Sequence, residues 1–568
     1  MIILGISAFV HDSAACLIRD GELIANVEEE RLNRVKHTEA FPVHSIDFVL
    51  ARAGVRLCDV DVIAFNWNPY KAAAAELFKL AVAPLIYFQI LRNSSAPKNA
   101  RSVLASFRLK RTLNKAYHGE FKGRVIWVDH HLAHAASSYY LSPFNGEAAD
   151  VIVVDGHGEN CSTSVFAMEK GRFRLKWQAP IWDSLGILYT TFTNFLGFDM
   201  YQEGKTMALA SFGRETQAYR DAFDKIIGLK DDGRYTLLNK KYLGLWNFRE
   251  GGLGSEFGAK RRPEEPLEER HFDVACSMQK SIKRAILHVV RHAARATGNR
   301  RLCLSGGVFL NCDINREILQ GGSHESVFAP PFPSDSGGAA GAALYAAFAR
   351  CGETVPDSPW FSPYLGPSFG SGEILHALRQ RQKGYRESLE PWVEAARALA
   401  ENKVVGWFQG RMESGPRALG NRSILANPGW SGIKDHLNKT VKKREAFRPF
   451  APIATEEAAL KYFELQEPVS ELTRYMLVTT EVRSEFREML PGITHVDGTA
   501  RIQIVTRESN PEIHLLLEEF EKLSGYAVLI NTSFNMQEPI VCTPDDALSC
   551  FERAPLDALF MGNYRVDR

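Results

Sequence analysis

A set of three short strands occurs twice in this chain, and that repetition restricts the fold more than any other feature. Apolar residues 2–6 are followed by a second run at 14–18, a turn at Asp20-Gly21 and a third run at 22–27. Residues 151–154, 162–168, the turn Lys170-Gly171 and residues 172–177 repeat the order about 150 residues later. Short β-rich runs joined by a tight glycine turn read as hairpins. Two such sets predict a duplicated α/β domain whose halves face each other across a cleft, the kind of place where ligands bind.

Duplicated α/β halves of this kind occur in actin and the sugar kinases, so a small-molecule kinase is one reading of the chain. A length of 568 residues with 45% hydrophobic side chains exceeds what one core serves and calls for a second domain. The boundary falls in the Pro- and Gly-rich stretch after Cys351 (ETVPDSPWFSPYLGPSFGSGE), between helical patterns at 339–349 and 392–402. The expected domains are 1–352 and 353–568, with a linker over about 353–385.

Residues 92–122 are rich in Lys and Arg with interspersed Leu and Phe, and they break the spacing between the repeats as part of an insertion near 70–122. Their basic face reads as a solvated helix or a lid; a nucleic-acid-binding protein is the reading from another class. Against it, 68 basic and 67 acidic residues leave no global field for a polyanion or an anionic membrane. Nine cysteines without a CxxC pair argue for reducing surroundings. The start MIILGIS has no basic region or cleavage site, and the longest apolar run, 80–91, holds a proline and is too short to span a bilayer. A soluble cytoplasmic protein with no nucleic-acid or membrane partner is expected.

The string DHHLAHA places His130 and His134 four residues apart on one predicted helix, about 6 Å along its axis, which suits two imidazoles on one metal ion or an ordinary helix start. Asp155 ends an apolar strand before Gly156-His157-Gly158, and Asp335 precedes Gly337-Gly338. Both have the setting of metal or phosphate positions, because glycines let backbone N–H groups approach a ligand. Ser305-Gly306-Gly307 follows a strand and Ser336-Gly337-Gly338 opens a helix, so both offer backbone amides, the second at the positive end of a helix dipole. Neither standard nucleotide motif is present. The glycine upstream of Glu203-Gly204-Lys205-Thr206 is misplaced for a P-loop, and Cys161 stands where a dinucleotide fingerprint needs its third glycine. Cations concentrate at 442–448 and at Arg411, Arg417, Arg422 and Arg501, many beside Gly or Pro in loops, which favours an anion site. The string NTSFN at 531–535 adds short polar groups after a strand, suited to a phosphate or carbamoyl unit or to a turn.

The strings HDSAA (11–15), EEERLNRVKH (28–37), DHHLAHA (129–135), DGHGE (155–159), EGKTMALASFG (203–213), LSGGVFLN (304–311) and PSDSGGAAGAA (333–343) resemble those of the NodU/CmcH/TobZ O-carbamoyltransferases. So do ESGPRALGNRSILA (413–426), KKREAFRPFAP (442–452), HVDGTARIQ (495–503) and NTSFN (531–535), in the same order, so the resemblance runs from end to end. It implies an N-terminal actin-like (ASKHA) domain similar to the tRNA threonylcarbamoyl transferase TsaD and a C-terminal α/β domain similar to the adenylate-forming YrdC. In such proteins the second domain uses carbamoyl phosphate and ATP, with Mg, to make carbamoyl adenylate. The first transfers the carbamoyl group, at a metal, to a hydroxyl of a small molecule such as an antibiotic, another secondary metabolite, a toxin or a saccharide.

By motif, the resemblance implies His130, His134, Asp155 and Asp335 as metal ligands and His11 as catalytic base. It puts Lys205, Gly306, Gly307 and Asn311 at the nucleotide, and Lys443, Arg448, Arg501 and Asn531 in the carbamoyl phosphate and ATP pocket. After NTSFN the chain reads MQEPIV, one residue shorter than the usual spacing, so Ser533, Asn535 and Glu538 receive no role. Acceptor-binding residues vary among such proteins and none is assigned. A mixed nitrogen and oxygen ligand set tolerates iron, zinc or manganese, and the resemblance makes Fe(II) the favoured ion. A hydroxyl needs a base to attack, and a histidine titrates in the right range, which favours His11, with Asp12 either orienting it or serving a turn. A homodimer is compatible with this reading.

Overall fold

The computed structural model describes residues 1–82, 104–238, 253–355 and 361–568. They form two compact units, one built from 1–26 and 38–361 and the other from 27–37 and 362–568. Residues 83–103 of the basic insertion, and with them most of the apolar run 80–91, lie outside the described residues. Among the described residues, no helix is long and apolar enough to cross a membrane.

In the first unit the repeat is visible in the topology. The strands β1 (Ile2–Ser7), β2 (Ala14–Arg19), β3 (Glu22–Glu28), β4 (Val62–Phe65) and β5 (Arg124–Trp127) form a sheet of order β3-β2-β1-β4-β5. A second sheet contains β6 (Asp150–Val154), β7 (Cys161–Glu169) and β8 (Arg172–Pro180). After a separate hairpin of β9 (Ile227–Leu229) and β10 (Tyr235–Leu237), it is completed by β11 (Arg301–Ser305) and β12 (Ser326–Phe328). Its order, β12-β11-β6-β7-β8, is the first order repeated. In each sheet the opening strand pairs antiparallel with the next and parallel with the fourth. The hairpin turns are alike too: Asp20 and Gly21 have φ of 50° and 83°, Lys170 and Gly171 of 49° and 71°. Two successive positive φ angles give a primed turn, whose twist matches the strands it joins.

The string GAAGAAL forms the fully buried helix Gly338–Leu344, which packs on β1 and on the helix His130–Tyr140. It carries no side chain larger than alanine until Leu344, so backbones approach closely. A Cβ on Gly5 would overlap the Ala339 carbonyl, and one on Gly341 the Ala133 carbonyl. This contact brings Asp335, just ahead of one helix, to the histidines of the other. The helical pattern predicted over 339–349 ends differently: Tyr345–Arg350 winds as a π-helix.

The second unit contains β13 (Arg386–Glu387), β14 (Val405–Phe408), β15 (Arg422–Ala426), β16 (Ala451–Thr455), the pair β17 (Thr480–Glu481) and β18 (Thr499–Ala500), then β19 (Gln503–Val505), β20 (Val528–Ser533), β21 (Ala558–Met561) and β22 (Tyr564–Asp567). Apart from the β17–β18 pair they make one mixed sheet, β13-β22-β21-β14-β15-β20-β16-β19. Helices Pro391–Ala400 and Pro511–Ser524 pack against each other, each with proline in its first turn, where the missing N–H costs nothing. Trp407, Phe450, Phe520 and Phe560 belong to the hydrophobic core of this unit.

Candidate functional site

Four side chains of the first unit converge on one point. His130 and His134 stand one turn apart at the start of their helix, Asp155 follows β6 directly, and Asp335 opens the 3₁₀ turn Asp335–Gly337. The two Nε2 atoms lie 3.2 Å apart. Asp155 Oδ2 is 3.1 Å from His130 Nε2 and 3.7 Å from His134 Nε2. Asp335 Oδ1 is 3.4 Å and 3.3 Å from the same atoms. All four residues are buried.

These distances fit a metal ion. Two ring N–H groups at most cannot serve five such contacts, whereas one cation serves them all, and metal bonds of about 2.1 Å give ligand–ligand edges of roughly 3.0–3.4 Å. Two carboxylates with two neutral imidazoles balance a divalent charge, and this donor set suits iron, zinc or manganese. Nδ1 of His130 has no hydrogen-bond partner among the described residues, so its polar contacts are all at Nε2. Nδ1 of His134 meets the Ser305 hydroxyl at 3.3 Å.

The field in this cluster is strong. Burial lowers the affinity of His130 for a proton, but Asp335 and Asp155 outweigh it and hold the imidazole well above its ordinary value. For Asp335, burial is overcome by His11 and His130, which keep the carboxyl well below the usual range. His131 lies outside this set: burial, then repulsion from His130, pushes it well below its ordinary value, and its Nδ1 meets Ser164 Oγ at 2.8 Å.

Glu159, not singled out from the sequence, fixes the histidine helix. Its buried carboxylate accepts the backbone N–H of His130 (3.0 Å) and of Asn68 (2.8 Å), satisfying a donor that the first helical turn leaves open. The signal was present, since it is the fifth residue of DGHGE. Trp67 packs edge-on to His130 with ring centroids 5.2 Å apart.

His11 borders the cluster. Its Nε2 is 3.4 Å from Asp335 Oδ2 and its Nδ1 is 3.0 Å from Asp12 Oδ2, with 27% of the side chain exposed. Burial lowers its pKa, but Asp335 and then Asp12 outweigh this and raise it to about 10. The loop that presents it is strained: Phe9 and Asp12 have φ of 71° and 59°. A short polar residue tolerates this conformation, and a phenylalanine does so at a cost. Packing of the Phe9 ring on Phe41 and Phe65, at 5.9 and 6.0 Å, offsets it.

The amides expected to be open in the LSGG loop are committed. Gly306 N–H donates to Pro333 O (2.7 Å) and Gly307 N–H to Asp155 Oδ1 (3.0 Å). Gly306 supplies conformation and space instead: its φ is 96°, and a Cβ there would overlap the Val154 carbonyl. Asn311 caps the helix Cys312–Gln320 and forms a reciprocal amide pair with Gln279 at 2.9 and 3.0 Å. Lys205 lies on the helix Glu203–Ala210, its ammonium 5.5 Å from the Phe198 ring centroid.

In the second unit, Arg444, Arg448 and Arg501 share one field. Burial depresses Arg444 to about 9, reinforced by Arg448 and Arg501, and burial with Arg501 lowers Arg448. His495 is pushed down to about 4 by burial, Arg501 and Lys434, against the opposing pull of Asp497. Partly buried cations that repel one another suit an anion. Asn531 on β20 donates to Gln503 Oε1 (2.7 Å) and Ala418 O (3.1 Å), and its own Oδ1 has no partner among the described residues. Lys443 is exposed, while its neighbour Lys442 is buried and donates to Asn535 Oδ1 (2.7 Å), Ser533 O (2.7 Å) and Asn535 O (2.8 Å). One arginine expected at the anion is structural: Arg422, fully buried, spends its guanidinium on the carbonyls of Gln409, Asn421, Pro367 and Gly410. Arg411 donates to the carbonyls of Leu365 and Gly366.

Two family models match the chain, the carbamoyltransferase N-terminus over residues 2–344 and the carbamoyltransferase C-terminus over 396–568. An uncharacterized protein of Synechocystis sp. is 38% identical over 99% of this chain and 96% of its own length. Nodulation protein NolNO of Sinorhizobium fredii is 37% identical over 99% of this chain and 80% of its own. Nodulation protein U of the same species is 31% identical over 92% of each.

Proposed function

The chain belongs to the carbamoyltransferase family and is a carbamoyltransferase, and from this premise we propose that it moves a carbamoyl group from carbamoyl phosphate to a hydroxyl of a small molecule at the expense of ATP. The work is divided. The second unit, similar to YrdC, converts carbamoyl phosphate, ATP with Mg and water into carbamoyl adenylate, phosphate and pyrophosphate, with Arg444, Arg448 and Arg501 holding the anions. The first unit, of the actin-like class, passes the carbamoyl group to the acceptor in the cytoplasm.

The observation that carries this reading is the cluster of His130, His134, Asp155 and Asp335 with His11 at its edge. Those four residues would hold Fe(II), with zinc or manganese as alternatives. A bound ion supplies Lewis acidity toward the carbamoyl oxygen or the adenylate phosphate. His11 Nε2 takes the proton of the attacking hydroxyl as the new carbon–oxygen bond forms and AMP leaves, while Asp12 holds Nδ1. The pKa of His11 is raised chiefly by the charge of Asp335 beside it, and further by Asp12. A divalent cation held by the Asp335 carboxylate would offset part of that field and so favour the neutral imidazole that a base requires.

The test is mass spectrometry of reactions containing enzyme, carbamoyl phosphate, ATP, Mg and a panel of hydroxyl compounds. A carbamoylated product whose formation requires both carbamoyl phosphate and ATP is expected. A phosphorylated acceptor would replace this reading with that of a kinase.

A further inference from the structure

The string EEERLNRVKH (28–37) has no part in the chemistry above, yet its first four residues, all charged, are buried. Glu28, Glu29, Glu30 and Arg31 are 3%, 1%, 7% and 4% exposed. Charged residues are rarely this buried unless paired, and two of these, Glu28 and Arg31, meet Gly415 of the second unit, to which residues 27–37 also belong.

Glu28 Oε1 accepts the N–H of Gly415 at 2.5 Å, and Arg31 Nη2 donates to the carbonyl of the same residue at 2.9 Å. Arg31 Nη1 is in turn paired with Glu30 Oε1 at 2.9 Å. One peptide residue is thus gripped by both its main-chain groups, and it is a residue whose φ of 104° only glycine adopts readily. Arg34 fastens the segment further along, donating to the carbonyls of Ile540 and Pro539, both at 2.6 Å. Between these anchors Leu32 packs on a small core of Met412, Ala418, Ile540 and Cys542.

Gly415 opens the loop that leads to the anion site. Glu413 Oε1 accepts the N–H groups of Leu419, Asn421 and Arg422 at 2.7, 2.7 and 3.2 Å, so the loop behaves as one piece. Its Ala418 carbonyl receives Asn531 Nδ2, and its Leu419 carbonyl receives Gln503 Nε2 at 2.8 Å, two residues beyond Arg501.

We infer that residues 28–34 are a positioning strap for the anion site of the second unit: Glu28 and Arg31 clamp Gly415 so that loop 413–422 holds Asn531 and the strand after Arg501 in register. The inference rests on the reading that this unit activates carbamoyl phosphate. Arg31 touches no substrate in this account and acts through the loop.

The experiment uses the full-length holoenzyme and its Arg31→Ala, Arg31→Lys and Glu28→Gln variants, with two readouts. One is carbamoyl-phosphate-dependent pyrophosphate release; the other is amide hydrogen exchange. Arg31→Ala removes a charge-assisted hydrogen bond from a buried pair, so kcat/KM for carbamoyl phosphate is expected to fall about 10–100-fold. Exchange should rise at Gly415 and at 419–422, and added guanidinium ion should restore part of the activity. Glu28→Gln keeps an acceptor for Gly415 and is expected to lose less. Unchanged kcat/KM in a folded Arg31→Ala enzyme would overturn the inference. So would a rise in exchange spread evenly over the second unit without guanidinium rescue, since that describes a general contribution to folding. Absence of pyrophosphate release in the unsubstituted enzyme would overturn the parent reading instead, and exchange at 413–422 would then decide the strap by itself.

Discussion

Replacing His11 with Asn separates the two half-reactions if the division of labour is right. Asn retains roughly the size of the imidazole and a hydrogen-bonding group toward Asp12, but it cannot take a proton from the acceptor. Loss of a general base costs about 10²–10⁴-fold, or about 2.7–5.4 kcal/mol of barrier. The structural effect of the same change is of a different kind. His11 is 27% exposed and its ring nitrogens meet Asp12 at 3.0 Å and Asp335 at 3.4 Å, two contacts to charged groups worth about 1.5–3 kcal/mol each at most. That loss bears on the folded fraction and would lower every activity of one preparation equally. The assay is a pair on a single sample: pyrophosphate release with carbamoyl phosphate and ATP alone, and carbamoylated product by mass spectrometry with an acceptor. The first is expected to stay within about twofold while the second falls at least about a hundredfold. Equal losses in both would refute the assignment of His11 to transfer alone, and full transfer activity would end its role as base.

Arg501→Ala is expected to abolish pyrophosphate release while leaving the metal content of the protein unchanged; consumption of carbamoyl phosphate at the normal rate would misplace the first step. Gly306→Ala forces a side chain onto a backbone with φ of 96° and against the Val154 carbonyl. A loss of about 1–3 kcal/mol is expected from the strain, read as a lowered melting temperature, and an unchanged one would contradict the close approach. Arg422→Met leaves a set of buried carbonyls without donors, so denaturation of the full chain should require about 3–5 kcal/mol less, whereas Arg483→Met, at a pair whose arginine is 33% exposed, should cost under about 1 kcal/mol. Equal costs at the two positions would refute the structural reading of Arg422.

The duplicated sheets were legible because each repeat carries its own local signal, two apolar runs joined by a dipeptide that adopts positive φ at both residues. The candidate metal ligands could be picked out for a related reason: His130 and His134 share a helix face, and Asp155 and Asp335 stand beside glycines at the ends of a strand and a loop, and the structure brings the four side chains together. Other features had no local signature. An arginine reads the same whether its fork meets a phosphate or, as at Arg422, four carbonyls of its own loop. Lys442 and Lys443 are adjacent and chemically identical, and tertiary packing alone buries one of them. The amides of Gly306 and Gly307 seemed open in sequence because their acceptors, Pro333 and Asp155, arrive from distant segments. The attachment of residues 27–37 to the second unit has no counterpart in composition or periodicity, since it depends on contacts to Gly415, Pro539 and Ile540 that lie hundreds of positions away.

The central claim is that His130, His134, Asp155 and Asp335 form one metal centre, and elemental analysis of protein purified without added metal tests it most directly. One transition-metal ion per chain is expected in the unsubstituted protein, and loss of that ion in a folded His130→Ala/His134→Ala double variant. Equal metal content in the two proteins would contradict the account.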